Sequence, residues 1–180
     1  MAEIILITGG TRSGKSDYAL KRAEAVDGNR CFLATCVVSD DEMAERVEKH
    51  REIRDETRWQ TIEERIELED VIQQNDCHVY LIDCLTLWIN NLMVDCYEKG
   101  LECTENFVAT RTEKLLDTIG TISGIVVIVT NEVGMGIVPE NELARRYRDL
   151  VGLANRMIAS RAAEVILVSC GLPLYLKDIK

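Results

Sequence analysis

Ile4-Ile5-Leu6-Ile7-Thr8-Gly9-Gly10-Thr11-Arg12-Ser13-Gly14-Lys15-Ser16 decides the fold of this chain. A β-branched run of strand length ends in a segment that fits G-x-x-x-x-G-K-[S/T], and a helical pattern opens at Ser16. Glycines let the backbone curl so that several N–H groups face phosphate oxygens, and the helix start adds positive potential. In that setting Lys15 reaches the β- and γ-phosphates of a nucleoside triphosphate, and the Ser16 hydroxyl offers a ligand to Mg²⁺. A tight glycine turn that binds nothing is the alternative, and the strand before and helix after argue against it.

Outward from this loop, short apolar runs alternate with longer segments of helical period. Strands are expected at Ile4–Thr8, Arg30–Thr35, Val79–Asp83, Ile125–Thr130 and Val165–Ser169, with a last one at Leu174–Lys177. Continuous rather than alternating apolar runs mark strands covered on both faces of a parallel sheet. Helices are expected at Ser16–Ala25, Asp41–Arg54, Glu63–Gln74, Leu85–Glu98, Glu105–Ile119 and Glu140–Ala162, the last with an apolar stripe of Leu143, Tyr147, Leu150, Val151, Ala154 and Ile158. The alternation predicts an α/β fold with right-handed crossovers, a mostly parallel sheet flanked by helices as in P-loop NTPases of the RecA-like kind. No linker, repeat or low-complexity tract interrupts it, so residues 1–180 read as a single nucleotide-binding domain. Asp83, at the end of an apolar strand, is the expected carboxylate for ordering the magnesium shell, although a strand-terminal turn residue has the same pattern. The acidic stretch Glu63–Asp70 reads as a solvated helix face.

Composition narrows the function classes. The formal charge of −10 and a pI near 4.8 argue against a general nucleic-acid binder, so any anionic ligand must be held locally. No apolar run approaches the roughly 18–20 residues of a membrane span, and the start, Met1-Ala2-Glu3-Ile4, lacks the basic region of a signal peptide. Seven cysteines, an odd number without a C-x-x-C pair, argue against a disulfide framework or zinc site and for the reducing cytoplasm.

Imidazole chemistry has two candidates, His50 and His78. His78 opens the Val79–Asp83 strand, at the end opposite Asp83, whereas ligands in open α/β sheets sit beyond the carboxyl ends; it reads as a structural or surface residue. His50 follows Val47 by three and Met43 by seven on one helix stripe, with Arg46 and Arg54 four residues before and after it. Neighbouring cations disfavour imidazolium and keep a ring nucleophilic. Spacing alone leaves both a catalytic role and an ordinary half-buried histidine open.

The phosphate loop Gly9–Ser16, the segment Asp40-Asp41-Glu42-Met43-Ala44 leading to Lys49-His50-Arg51, and above all Thr130-Asn131-Glu132-Val133-Gly134-Met135-Gly136-Ile137-Val138-Pro139-Glu140 resemble one family. It is the bifunctional adenosylcobinamide kinase/adenosylcobinamide-phosphate guanylyltransferase of cobalamin biosynthesis. The resemblance extends through Ala34-Thr35, Trp59-Gln60-Thr61-Ile62-Glu63 and Ile179-Lys180. It implies a multifunctional transferase that phosphorylates adenosylcobinamide, then passes GMP from GTP to that phosphate through a GMP-histidine intermediate, releasing pyrophosphate.

On this resemblance His50 is the nucleophile, and Lys15 and Asp83 are catalytic, with Ser16 and Asp83 as the Mg²⁺ ligands; for Asp83 the sequence does not separate magnesium ordering from service as base for the cobinamide hydroxyl. The nucleotide contacts fall on Gly9, Gly10, Thr11, Arg12, Ser13, Gly14, Lys15, Ser16, Ala34, Thr35, Cys36, Arg51, Glu52, Ile53, Arg54, Glu63 and Asp83. Lys49 stands where some relatives carry a second histidine, which leaves a single candidate nucleophile. ATP and GTP are the implied substrates beside the corrinoid, and the implied assembly is a homo-oligomer, a trimer, with no nucleic acid or membrane partner. Trp88, Leu92 and Met93 are interface candidates that core packing explains equally well. The Thr130–Glu140 stretch is expected to be a shaped substrate loop or a structural crossover. A kinase without nucleotidyl transfer is the alternative enzyme; a GTP switch is disfavoured by the lack of an N-K-x-D guanine-reading motif.

Overall fold

The computed structural model describes residues 1–36 and 59–178. Seven strands make one sheet: β1 (Glu3–Thr8), β2 (Arg30–Ala34), β3 (Trp59–Glu63), β4 (Val79–Asp83), β5 (Ile125–Val129), β6 (Glu164–Ser169) and β7 (Leu172–Asp178). The described helices are α1 (Lys15–Glu24), α2 (Leu68–Gln74), α3 (Leu85–Glu98), α4 (Glu105–Thr121) and α5 (Glu142–Arg161). Across the sheet the order is β3-β2-β4-β5-β1-β6-β7, all pairs being parallel except β6 with β7.

Two covered faces explain the continuous apolar runs. Ile4 and Leu6 of β1 join Leu33, Tyr80, Ile82, Val126 and Ile128 on the face packed by α2, α3, α4 and α5. Their neighbours Ile5 and Ile7 join Phe32, Leu81, Val127 and Val129 on the opposite face, against Ala19 and Ala23 of α1. Each such side chain fully removed from water contributes about 1.5–3 kcal/mol before conformational entropy is charged against it.

The last strand runs backwards because of its turn. Cys170 and Gly171 both have positive φ, 53° and 77°, and Ser169 pairs directly with Leu172. A two-residue loop with positive φ at both positions matches the twist of a hairpin. β7 is therefore an antiparallel edge, longer than the Leu174–Lys177 strand expected.

Several sequence expectations need correction. Glu63 does not begin a helix: it ends β3, paired in register with Ala34, and the helix starts only at Leu68. Between them the Glu64 carboxylate accepts the backbone N–H groups of Ile66 and Glu67 at 2.8 and 3.0 Å, closing a turn that interrupts the helical pattern. Nor is the acidic stretch a solvated face throughout. Glu69 is fully buried, 3.0 Å from the Arg111 guanidinium and 2.7 Å from the Lys114 ammonium. Leu143 leaves the apolar stripe of α5 and is exposed, and Trp88 and Leu92 lie wholly inside the core, out of reach of a partner chain; Met93 packs against the same core. The Asp41–Arg54 helix lies outside the described residues.

The Glu69 ion cluster should dominate stability on the α2–α4 side. Glu69→Ala opens a void beside the mostly buried Arg111, which keeps Glu67 as a partner, while the half-exposed Lys114 turns to solvent; the expected cost is about 3 kcal/mol, read as a lower urea midpoint at unchanged slope. Glu67 also pairs with Arg111, at 2.9 Å, but is partly exposed, so Glu67→Ala should cost about 1 kcal/mol or less. Equal losses at the two positions would show that burial does not set the difference.

Candidate active site

The phosphate loop runs from the end of β1 into α1, and its conformation follows from its glycines. A Cβ on Gly9 would lie 2.4 Å from the carbonyl oxygen of Val168, so only glycine fits beside β6. Gly14 takes φ +88° as the residue capping α1, a left-handed geometry that costs glycine least. The first turn of α1 receives no side-chain cap, so its leading N–H groups are directed at whatever lies in the loop. Arg12 adopts φ 57° without being glycine, a local strain of the sort held at functional sites. Lys15 folds back across the loop, its Nζ donating to the Gly10 carbonyl at 3.1 Å. The Thr8 and Ser13 hydroxyls are buried with no hydrogen-bond partner in the protein. The hairpin turn braces the loop from outside, Gly171 N–H donating to the Ser13 carbonyl at 2.8 Å.

Parallel register draws the other candidate residues into one row. Glu63 pairs with Ala34, Ala34 with Asp83, Asp83 with Val129, and Val129 with Ile7, one residue before Thr8. At about 4.8 Å per strand, Asp83 lies two strands, roughly 10 Å, from β1, and Glu63 four strands, roughly 19 Å. Asp83 and the phosphate loop thus share the carboxyl edge of the sheet. His78 sits at the other edge, where its N–H donates to Asn29 Oδ1 at 3.0 Å.

A polar belt lies under this edge. The Thr35 hydroxyl accepts the Cys84 N–H at 2.7 Å and donates to the Cys84 carbonyl at 2.8 Å, gripping the residue next to Asp83. Asn91 of α3 donates to the carbonyls of Thr35 and Arg65 at 2.9 and 3.2 Å. Asn131 donates to the Thr86 hydroxyl at 3.2 Å, and Asn155 of α5 holds both Thr130 and the Asn131 carbonyl. Beyond β5, the Glu132 N–H donates to the Gly9 carbonyl at 3.1 Å. Sequence reasoning left Asn91, Asn131, Glu132 and Asn155 out of the site. The signal for Asn131 and Glu132 was available, since polar residues directly follow an apolar strand.

The sequence profile of the family described as "Cobinamide kinase / cobinamide phosphate guanyltransferase" matches residues 5–176. The chain belongs to this family. It is 39% identical to the bifunctional adenosylcobalamin biosynthesis protein CobU of Escherichia coli K12, over 97% of this chain and 99% of that protein. It is 36% identical to the corresponding protein CobP of Pseudomonas aeruginosa, over 96% of each. Among solved structures, an ATPase from the type III secretion system of pathogenic bacteria superposes with a TM-score of 0.59 at 10% identity, covering 96% of this chain and 56% of that one. That likeness confirms the P-loop NTPase-like fold of a family member whose sequence is otherwise unlike it.

The placement of the expected contacts is uneven. Gly9, Gly10, Thr11, Arg12, Ser13, Gly14, Lys15 and Ser16 are together, facing Asp83 along the sheet edge. Ala34 and Cys36 are half-buried, Ala34 one strand beyond Asp83 from the loop, and Glu63 is exposed at the far end of the row. Thr35 has no exposed surface, and its hydroxyl is engaged with the Cys84 backbone. Arg46, Lys49, His50, Arg51, Glu52, Ile53 and Arg54 lie outside the described residues. Cys84 is no nucleophile, because burial first, and then the charge of Asp83, pushes its thiol up to about 11. No described helix is long and apolar enough to cross a membrane.

Burial pulls the Lys15 amine below the usual lysine value, while the negative charge of Asp83 works against that shift. Asp83→Asn removes the opposing charge and leaves burial in place. The Lys15 pKa should therefore fall further in Asp83→Asn, as read by ¹³Cε chemical-shift titration. An unchanged or higher value would mean that the two groups do not feel each other.

Proposed function

We propose that this chain, acting as one domain over residues 1–180, phosphorylates the aminopropanol hydroxyl of adenosylcobinamide with ATP or GTP. It then transfers GMP from GTP to the new phosphate, giving adenosylcobinamide-GDP and pyrophosphate. The observation that carries the reading is near-full-length kinship with proteins named as bifunctional in adenosylcobalamin biosynthesis, on a chain whose phosphate loop is intact. A cytoplasmic setting suits its seven thiols, and the homotrimer rests on the family resemblance.

Both steps place a nucleophile in line with a bound triphosphate and differ in the phosphorus attacked. In the first, the substrate hydroxyl attacks the γ-phosphorus and nucleoside diphosphate leaves. In the second, His50 attacks the α-phosphorus of GTP, pyrophosphate leaves, and an oxygen of adenosylcobinamide phosphate then displaces the imidazole. The ammonium of Lys15 and the N–H groups at the start of α1 stabilise charge gathering on the phosphates in each case. Ser16 and Asp83 supply hard oxygen donors, a set suited to Mg²⁺, which keeps several waters and binds through one or two protein ligands plus phosphates. When bound, that ion neutralises phosphate charge. Roughly four strands from the phosphate loop, Glu63 is out of reach of the phosphates and is assigned to the nucleoside end, with Ala34 and Cys36 between.

Lys15→Ala should reduce both activities by about a hundredfold or more, because one amine serves both transition states; near-normal kinase turnover would mean the loop is misassigned. His50→Ala should abolish guanylyl transfer and retain kinase activity, since only the former needs an attacking imidazole. With labelled GTP, wild-type protein should keep an acid-labile, base-stable label after denaturation, and His50→Ala should keep none. GMP found on Lys15 or Lys49 would remove His50 as nucleophile.

A further inference from the structure

Glu63, Asp83 and Glu132 are carboxylates at or just beyond the carboxyl edge of the sheet that carries the phosphate loop. Glu63 is too far along the row. Asp83 is felt electrostatically by Lys15 and belongs with the cation side of the site, where a proton acceptor is disfavoured by neighbouring positive charge. Glu132 is placed differently. It follows β5, the strand paired with both β1 and β4, so it emerges between the phosphate loop and Asp83.

Its backbone is fixed by the N–H bond to the Gly9 carbonyl at 3.1 Å. Its side chain is half-buried, with Oε1 accepting the Gly134 N–H at 2.8 Å. The loop beyond is braced, Arg148 donating to the Gly134 carbonyl at 2.6 Å and Arg145 to those of Pro139 and Glu140 at 3.0 and 2.6 Å. Within this held loop Met135, Ile137 and Val138 point to solvent, an unusual use of large apolar side chains and a suitable wall for a bulky, hydrocarbon-rich acceptor.

We propose that Glu132 is the general base of the kinase step, a reading that rests on the function proposed above. The hydroxyl proton of adenosylcobinamide passes to the Glu132 carboxylate as the hydroxyl oxygen forms its bond to the γ-phosphorus. The bond from that phosphorus to the β,γ-bridging oxygen breaks, nucleoside diphosphate leaves with the electron pair, and Glu132 returns its proton to solvent. The Gly134 N–H orients the group through one oxygen, and the other receives the proton. The second reaction needs no such base. Its acceptor is a phosphate ester, already ionised near neutral pH.

Glu132→Gln keeps the shape and the acceptor for Gly134 N–H while removing the base, and it is assayed separately with adenosylcobinamide plus ATP and with adenosylcobinamide phosphate plus GTP. The kinase kcat should fall about a hundredfold with KM for ATP within about twofold, whereas guanylyl transfer and covalent labelling by GTP stay within about threefold of wild type. Glu132→Asp, which restores a carboxylate on a shorter stem, should recover part of the kinase rate. Equal loss of both steps and of labelling would make Glu132 a structural loop residue, and an unaffected kinase rate would remove it from the chemistry; either overturns the proposal. Failure of the wild-type chain on both substrates would instead strike the parent reading.

Discussion

Backbone pairing of β5 between β1 and β4 is the constraint on which the site depends. Five register pairs on each side hold the strand ending in Asp83 and the strand ending in the phosphate loop two spacings apart. A slip of one residue would turn every side chain to the opposite face. That slip is prevented by the core itself, because Val126 and Ile128 face one set of helices while Val127 and Val129 face α1. The separation of Asp83 from the phosphate loop is thus set by hydrophobic burial, away from the charged groups themselves.

The loop on this frame is held from outside as well as by its own Lys15 and Ser13 bonds to the Gly10 carbonyl. Val168 leaves no room for a side chain at Gly9, the hairpin reaches the Ser13 carbonyl through Gly171, and Tyr18 of α1 meets Tyr175 of β7 hydroxyl to hydroxyl at 3.0 Å. Arg22 adds an ion pair to Glu164 of β6 at 2.7 Å. The strained φ of Arg12 persists because its surroundings are over-determined. Under the neighbouring strand ends the polar belt through Thr35, Cys84, Thr86 and Asn131 does the same for Asp83. Such a buried network is rigid where it is satisfied, as at Thr35 and Cys84, while Asn131 Oδ1 is buried without a partner among the described residues.

Legibility in the sequence tracked how local each signal was. The phosphate loop, the central parallel strands and the sheet edge carrying Asp83 were readable because a continuous apolar run or a glycine spacing is written in adjacent residues, whereas the parallel edge strand β3, Trp59-Gln60-Thr61-Ile62-Glu63, lacks such a run and was not expected. The turn made by Glu64 was missed: acidic residues at helical spacing look the same whether a carboxylate caps a turn or faces water. Glu69 was misread for a related reason, since its partners Arg111 and Lys114 lie on another helix, more than forty positions away. The reversal of β7 was hidden because Cys170 in a left-handed conformation has no compositional mark. Glu132 and Asn131 stood in the most distinctive segment of the chain, yet strand order was needed to show that this segment emerges between the phosphate loop and Asp83.

That strand order also bears on how one site supports two transfers. The electrophile is prepared in the same way each time, by a loop whose N–H groups and lysine bind phosphate locally on a chain of net charge −10. Such a surface repels free anions at long range, so the loop must supply attraction at short range, where burial of Lys15 strengthens each contact. What differs between the steps is the nucleophile's need. An alcohol must lose a proton as it attacks, an imidazole must begin neutral, and a phosphate ester needs neither service. The proposed division of these needs between separate residues, Glu132 in the loop after β5 and His50 elsewhere in the sequence, avoids a conflict that a single group would face. A carboxylate beside a cationic cluster would be ion-paired and weakened as a proton acceptor, and an imidazole placed beside a carboxylate would be favoured in its protonated form and lose its nucleophilic lone pair.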